Sequence, residues 1–138
     1  MNEKKTKIGA CIIVHNMASL IGACVKSLQW VDNIFILDDH STDGSVENAK
    51  KYSKVPIKFE RFSTGNLTFR EGELQSRNYV LDQAFKELGA NVMVIVDADE
   101  MLSSLIKPKI IEILNNSSTD SIMFSTWHLY DKLKYLHF

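Results

Sequence analysis

Acidic side chains follow two apolar segments of the chain. Asp38 and Asp39 come directly after residues 34–37, and the Asp-Ala-Asp-Glu sequence of residues 97–100 comes directly after residues 92–96. If both segments are parallel strands, their carboxyl ends meet at one edge of a sheet, which is where open α/β sheets bind ligands. We therefore expect both acidic clusters to lie at the same site.

Such clusters need a compensating charge. Two ionised carboxylates about 4 Å apart repel each other by roughly 4 kcal/mol at an effective dielectric constant of 20. A hard divalent cation satisfies the cluster best, because Mg²⁺ and Mn²⁺ prefer oxygen ligands and Mg²⁺ commonly combines one or two carboxylates with substrate phosphates. Strand ends also carry Asp simply as a turn former. We prefer that interpretation for Asp43, and both interpretations stay open for Asp38 and Asp39.

Other residues and missing motifs limit the kinds of ligand and reaction that the site could serve. Arg77 could bind a diphosphate through its planar guanidinium, although an exposed helix cation is the alternative. His15 and His40 follow the first two apolar segments, and the four histidines share no metal-ligand spacing. The chain contains no glycine-rich phosphate loop of the dinucleotide or P-loop type and no GxSxG nucleophile motif.

Apolar patterning predicts an α/β fold with a mainly parallel sheet and right-handed crossovers. Continuous apolar runs predict buried strands, and Ile57 and Phe59 alternate with polar residues as in an edge strand. Helical spacing begins at Ile21 and again at Leu81, and two shorter helices are predicted from Ser45 and around Pro108. The strands fall at residues 8–14, 34–37 and 92–96, with a weaker one at 122–124, and residues 61–72 are predicted to be irregular.

Composition limits the class of protein. The chain has 138 residues, 45% of them hydrophobic, with 16 basic and 17 acidic side chains. This predicts one domain after a polar tail at residues 1–6, and the near-neutral charge argues against nucleic acid as the main partner. Cys11 and Cys24 are expected to be free core thiols. Because the start of the chain does not resemble a signal peptide, the predicted location is the cytoplasm.

Four segments stand out in order along the chain: residues 12–16 (Ile-Ile-Val-His-Asn), 36–45 (Ile-Leu-Asp-Asp-His-Ser-Thr-Asp-Gly-Ser), 77–78 (Arg-Asn) and 94–100 (Val-Ile-Val-Asp-Ala-Asp-Glu). Their order and spacing resemble the motifs of GT-A fold, family-two glycosyltransferases. Residues 30–33 (Trp-Val-Asp-Asn), together with the Asp-Ala-Asp-Glu sequence, are similar to the branch that adds glucose to bacterial lipopolysaccharide core. The resemblance covers about residues 7 to 125.

The resemblance implies a GT-A, Rossmann-like domain that binds a nucleotide-sugar, most often a UDP-sugar. A DxD motif would hold Mn²⁺ or Mg²⁺ against the diphosphate, with Asp99 as the metal ligand and Asp97 contacting the ribose or the metal. Arg77 would lie near the diphosphate. The metal and Arg77 would together neutralise charge on the departing nucleoside diphosphate.

The resemblance also implies a site for the nucleoside. Asp38 or Asp39 would accept a hydrogen bond from the uracil ring. Residues Val14, His15 and Asn16 would belong to the nucleotide-sugar site, and the backbone of Val14 and His15 would close the uracil pocket. The acceptor would be a saccharide or a lipid-linked saccharide, and the protein would work in the cytoplasm or peripherally at the cytoplasmic face of a membrane.

The end of the chain departs from the family pattern. The family's catalytic base lies in a C-terminal half that follows the segment around residues 122–125, and Asp131 is the only carboxylate after Asp120. We therefore expect the chain to lack the acceptor half, leaving the catalytic residue unassigned and activity dependent on missing chain or a partner chain. The apolar residues after Trp127 predict either an exposed patch or a final helix or strand packed on the sheet.

Three alternatives stay open at this point. A Mg²⁺-binding receiver domain has a similar length, but it needs an acidic doublet after its first strand and a lysine at a later strand end. A haloacid-dehalogenase-type phosphatase carries a motif like Asp97-Ala98-Asp99, but on its first strand. A non-catalytic remnant of a glycosyltransferase would share the fold and differ only in lacking sugar transfer.

Overall fold

Four strands form one all-parallel sheet in the computed structural model, which describes residues 6–62, 69–116, 121, 127–130 and 134–137. The strand order is β3-β2-β1-β4, and β3 is an edge strand, as its alternating pattern predicts. These strands are β1 (Ile8–Val14), β2 (Asn33–Asp38), β3 (Ile57–Arg61) and β4 (Val92–Asp97). The prediction of an α/β fold with a Rossmann-like parallel sheet is confirmed.

Helices connect the strands and cover the two faces of the sheet. They are α1 (Ile21–Ser27), α2 (Ser45–Tyr52) and α3 (Phe69–Leu88). The connections through α1 and α2 step from β1 to β2 to β3, whereas the connection through α3 returns across the sheet to β4. Because parallel crossovers are right-handed, α3 lies on the face opposite α1 and α2.

The core under α3 joins alternate residues of the two central strands to one side of the helix. Every member is at most 4% exposed, and burying each large apolar side chain contributes about 1.5–3 kcal/mol to folding. On the same sheet, Ile95 of β4 is 56% exposed, so the covering predicted for that strand is partial among the described residues. The core residues are Cys11, Phe35, Leu37, Val80, Ala84 and Leu88.

Helix α3 begins earlier than the sequence predicts. Residues 61–72 are predicted to be irregular, but β3 extends through Arg61 and α3 starts at Phe69. Gly72 therefore lies inside the helix, where its carbonyl accepts a hydrogen bond from Ser76 Oγ at 2.8 Å. A single glycine costs a helix only about 1 kcal/mol, which a helix of 20 residues tolerates.

The chain divides into two compact units, Met1–Lys107 and Pro108–Phe138. Helix α4 (Ile106–Asn116) lies mostly in the second unit and carries Pro108 in its first turn, as predicted. The described part of the final segment is an antiparallel pair, β5 (Trp127–Tyr130) and β6 (Lys134–His137), which forms a sheet of its own. The strand predicted at residues 122–124 lies outside the described residues. No helix in the described ranges has the length and hydropathy needed to cross a bilayer.

Candidate functional site

The strand register brings the two acidic segments to one edge of the sheet. In the parallel pairing, Val14 of β1 is opposite Asp38 of β2, and Ile13 is opposite Asp97 of β4. A cleft of about 350 Å³ opens at this edge, within the usual range for small-ligand sites. It is lined by Ile13, His15, Met17, Asp39, Glu73, Ser76, Arg77, Asp97, Ala98 and Asp99.

One end of the cleft is the turn that follows β4. The backbone N–H of Asp97 donates to Glu100 Oε2 at 3.1 Å, and the N–H of Glu100 donates to the Asp97 carbonyl at 3.0 Å. This reciprocal pairing closes the turn without using the side chains of Asp97 and Asp99. The Asp97 side chain is 50% exposed and Asp99 is also exposed, so both carboxylates can reach a ligand.

Arg77 projects from α3 into the same end of the cleft. Its Nη2 donates to Asp97 Oδ1 at 3.3 Å, and its Nε donates to Glu73 Oε1, one helical turn earlier, at 3.1 Å. Burial lowers the pKa of Arg77, but the negative charges of Asp97 and Glu73 outweigh that effect and raise it above its ordinary value. The side chain is 43% exposed, so this fixed cation also faces solvent and can meet an anion.

The other end of the cleft is built by the loops after β1 and β2. The N–H of Asp39 donates to the Val14 carbonyl at 2.9 Å, which extends the pairing of β1 and β2 by one residue. The Nδ1 of His15 donates to the Asp39 carbonyl, while its Nε2 accepts from Asn16 Nδ2 at 3.3 Å. These contacts fix the His15 ring beside Asp39 and assign its proton to Nδ1.

The two loops are joined to each other by side chains. Asn16 has a left-handed backbone (φ 51°), and its amide oxygen accepts from the Thr42 N–H at 2.9 Å. The hydroxyl of Ser45 accepts from the Met17 N–H at 2.8 Å. Asp43 accepts from the Ala18 N–H at 2.9 Å and from Ser45, so it closes the turn, as its sequence context predicts.

Asp38 and Asp39 have different environments. Asp38 is 0% exposed, with Oδ1 accepting from the Ser41 N–H at 3.0 Å and Oδ2 accepting from Arg61 Nε at 3.1 Å. Asp39 lies at the cleft with its side chain 32% exposed. Of the eight predicted site residues, the cleft gathers His15, Asp39, Arg77, Asp97 and Asp99, whereas Val14, Asn16 and Asp38 stand behind it as backbone and loop supports.

The thiol of Cys24 lies next to the turn that follows β4, and its pKa is raised. Burial raises the pKa of Cys24 to about 12, and the charges of Glu100, Asp99 and Asp97 add to that rise. Its Sγ lies 3.5 Å from the Asp97 carbonyl oxygen. Three acidic side chains therefore lie close enough to Cys24 to act on its thiol, and one of them, Asp97, is paired with Arg77.

The residues at this turn could hold a divalent cation only together with ligands from outside the chain. Within the ranges the structure describes, no three His, Cys, Asp or Glu side chains are grouped to hold a metal ion. Two carboxylates are too few for a closed protein cage, but they match the habit of Mg²⁺ of binding one or two carboxylates plus phosphate oxygens and water. Asp97 and Asp99 would hold the ion, which would neutralise charge on the phosphates.

Sequence reasoning missed two polar residues that line the cleft. Glu73 and Ser76 lie in the first half of α3, directly after residues 61–72, which are predicted to be irregular. The four-residue spacing of Glu73 and Arg77 was a usable signal, because oppositely charged residues at that spacing meet on a helix. Met17 supplies apolar lining outside the motif segments, whereas Ile13 and Ala98 lie within them.

The geometry agrees with the comparison to known protein families. The family model described as glycosyl transferase family 2 matches residues 10–135, which includes every residue of the cleft. Members of this family use a nucleotide-sugar donor and an acceptor, so the match supports a transferase that binds such a donor. With most of its length matched and a cleft at the carboxyl edge of a parallel sheet, the chain belongs to glycosyl transferase family 2.

Proposed function

We propose that this chain is the donor-binding part of a glycosyltransferase that takes a UDP-sugar together with Mn²⁺ or Mg²⁺. The observation that carries the proposal is the division of one cleft into two chemically different ends. At one end Asp39 offers a hydrogen-bond acceptor beside the His15 ring, and at the other Arg77 adds a cation to the carboxylates of Asp97 and Asp99. A nucleoside diphosphate carries a base with hydrogen-bond donors for the first end and a charged diphosphate for the second.

The charged end suits a metal-bound diphosphate. Arg77 would bind phosphate oxygens directly, while Asp97 and Asp99 would bind the cation that bridges them. Glu73 would keep Arg77 in the cleft if Asp97 turned toward the metal or the ribose, since it accepts from Nε independently of Asp97. These residues bind and orient the leaving group of a sugar transfer.

The end that carries Asp39 and His15 suits uracil. A carboxylate at Asp39 accepts hydrogen bonds only, and uracil has a donor at N3 where cytosine has an acceptor. Asp38 has both oxygens engaged by Ser41 and Arg61, so the role is assigned to Asp39. The acceptor is proposed to be a saccharide or lipid-linked saccharide, and the lipopolysaccharide-core branch remains the specific hypothesis drawn from residues 30–33 and 97–100.

Calorimetric titration tests the donor site. UDP should bind in the presence of Mn²⁺, binding should weaken in EDTA, and ADP should bind more weakly than UDP. At 100 times the dissociation constant, UDP should also raise the free energy of unfolding by about 2.7 kcal/mol, which thermal melting detects. Absence of UDP binding in Mn²⁺ would contradict the proposal.

Two variants separate the ends of the cleft. Asp99→Asn should remove the effect of Mn²⁺ on UDP binding, and the control Asp82→Asn, an exposed carboxylate on α3, should not. Asp39→Asn should weaken uridine binding and leave the effect of Mn²⁺ on UDP in place. If Asp99→Asn binds UDP in saturating Mn²⁺ as tightly as the unmodified chain, the metal assignment is wrong.

Sugar transfer is a separate question from donor binding. A non-catalytic member of the family would bind UDP and transfer nothing, so transfer of radiolabelled sugar from UDP-sugars to saccharide acceptors distinguishes the two. The family match favours both of these over the receiver-like and phosphatase-like alternatives. Beryllofluoride bound to an aspartate mimics a phosphorylated Asp in receiver domains and phosphatases. We expect this chain not to bind beryllofluoride.

A further inference from the structure

We infer that Arg61, which does not line the cleft, is a positioning residue that sets the uracil selectivity of the proposed donor site by bracing the loop that carries Asp39. The inference rests on the proposed function and assigns a role to a residue outside the motifs. Arg61 ends the edge strand β3, and its register partner on β2 is Asp38. Its side chain is 57% exposed, yet its polar atoms are directed into the protein.

The guanidinium of Arg61 connects two points of the same loop. Its Nε donates to Asp38 Oδ2 at 3.1 Å, and its Nη2 donates to the Ser41 carbonyl at 3.0 Å. Ser41 in turn donates its N–H to Asp38 Oδ1 at 3.0 Å. Arg61, Asp38 and Ser41 therefore form a closed three-residue brace, and the segment that it spans is Asp39-His40.

The brace also reaches the loop after β1. The Ser41 hydroxyl accepts from the Asn16 N–H at 3.0 Å, and Asn16 is next to His15, whose ring donates to the Asp39 carbonyl. Both loops contain a residue with a left-handed backbone, Asn16 (φ 51°) and His40 (φ 56°). Non-glycine residues hold that conformation when surrounding contacts favour it, so the brace maintains a geometry that the chain would not adopt freely.

The planar guanidinium of Arg61, with its two fixed N–H donors, is essential for bracing the loop. A lysine at position 61 would keep a positive charge beside the buried Asp38 carboxylate, but one ammonium cannot reproduce two fixed N–H directions. Arg61→Lys should therefore keep the ion pair and loosen the hold on the Ser41 carbonyl. The predicted consequence is a displaced Asp39, with the charged end of the cleft unaffected because none of its residues contacts the brace.

The test compares ligands that occupy different ends of the cleft. For Arg61→Lys, the dissociation constant of UDP in Mn²⁺ should rise roughly three- to tenfold, as expected for one weakened hydrogen bond, and the preference for UDP over CDP should fall. Inorganic diphosphate in Mn²⁺ has no base, and its affinity should stay within twofold. The matched control is Lys58→Gln on the same strand, where the exposed pair with Glu87 at 3.7 Å is lost.

Each outcome decides between roles. Equal weakening of UDP and inorganic diphosphate, with a lower melting temperature, would show that Arg61 supports the fold in general and would overturn the inference. An unchanged UDP-to-CDP ratio would overturn it as well. If the unmodified chain binds inorganic diphosphate but no UDP, the proposed function fails first, and the inference about uracil selectivity fails with it. Arg61→Gln, which removes the charge, should lose stability as well as selectivity, whereas Arg61→Lys should lose mainly selectivity.

Discussion

Arg77 Nη2 lies 3.3 Å from Asp97 Oδ1, and this ion pair joins α3 to the carboxyl end of β4. The same guanidinium contacts Glu73 at 3.1 Å, so it is held between two carboxylates. Both partners and the arginine are about half exposed, and exposed pairs of this kind contribute little to stability. The arrangement keeps a cation at the cleft while adding little to the stability of the fold.

Arg77→Gln should weaken UDP binding about ten- to hundredfold, because one or two charge-assisted hydrogen bonds to phosphate are lost. Uridine, which has no phosphate, should bind the variant within twofold of the unmodified chain. Calorimetric titration of both ligands measures this difference. Lys58→Gln serves as the control for removing a basic side chain, and equal losses for UDP and uridine would contradict the assignment of Arg77 to the diphosphate.

Asp38→Asn should destabilise the protein by about 1–3 kcal/mol, because a fully buried acceptor of two hydrogen bonds would present an amide group to Arg61. Urea unfolding at pH 7 measures the change. Asp39→Asn is the matched control, since its side chain faces the cleft and its free energy of unfolding should change by less than about 0.5 kcal/mol. Equal free energies of unfolding for the two variants would show that the ion pair between Asp38 and Arg61 does not stabilise the fold.

Most of the fold could be predicted because the buried strands are continuous apolar runs in the sequence. The apolar runs at residues 8–14 and 92–96 coincide with β1 and β4 to within one residue, and the run at 34–37 lies inside β2. The start of α3 could not be predicted, since Gly72 and the mixed polar residues before it indicate a loop when read locally. Helix α3 is instead stabilised by tertiary packing on β1 and β2 through residues such as Val80 and Ala84.

The site was predictable as a location but not as a set of roles. Strand ends with carboxylates identify the edge of the sheet, yet the sequence cannot say which member of the Asp38-Asp39 pair faces the cleft. The difference is visible only after β2 and β3 pair, when Arg61, which is 23 residues away from Asp38 along the chain, meets the Asp38 carboxylate. Arg61 itself has no local signal, because its brace exists only in the folded sheet.

Asp43→Asn should reduce the acid sensitivity of the fold. Hydrogen bonds from Ser45 and the Ala18 N–H lower the pKa of Asp43 in the folded protein below its ordinary value near 3.8. A lowered folded-state pKa contributes stability above the unfolded-state pKa, and this contribution is lost as the pH falls through the folded-state pKa. The variant should therefore be less stable than the unmodified chain at pH 7, and the difference should shrink below pH 3.8.

Urea unfolding at pH 7 and pH 2.5 measures this convergence. Asp82→Asn is the control, because Asp82 is exposed on α3 and should show the same stability as the unmodified chain at both pH values. If the free energy of unfolding differs between Asp43→Asn and the unmodified chain by the same amount at both pH values, Asp43 stabilises the turn through its hydrogen-bond geometry and not through its charge.

Cys11 and Cys24 should react slowly with Ellman's reagent while the protein is folded. They are 0% and 1% exposed, and burial raises the pKa of each thiol to about 12, so almost no thiolate is present at pH 8. In urea, both thiols should react at the rate of an exposed cysteine. Rapid labelling of one thiol in the folded protein would show that its strand or helix opens locally.

The same two thiols should make the fold sensitive to alkali. In the unfolded chain they ionise near pH 9, whereas in the folded protein they keep their protons until about pH 12. A raised folded-state pKa contributes stability that is fully present below pH 9 and is lost as the pH rises toward 12. Urea unfolding between pH 8 and pH 10.5 should therefore show declining stability, and the decline should be smaller in Cys24→Ala after allowing for the lost volume. Cys24 is the more informative position, because the charges of Glu100, Asp99 and Asp97 add to the rise in pKa that burial causes. A free energy of unfolding that stays constant between pH 8 and pH 10.5 would contradict the raised thiol pKa values.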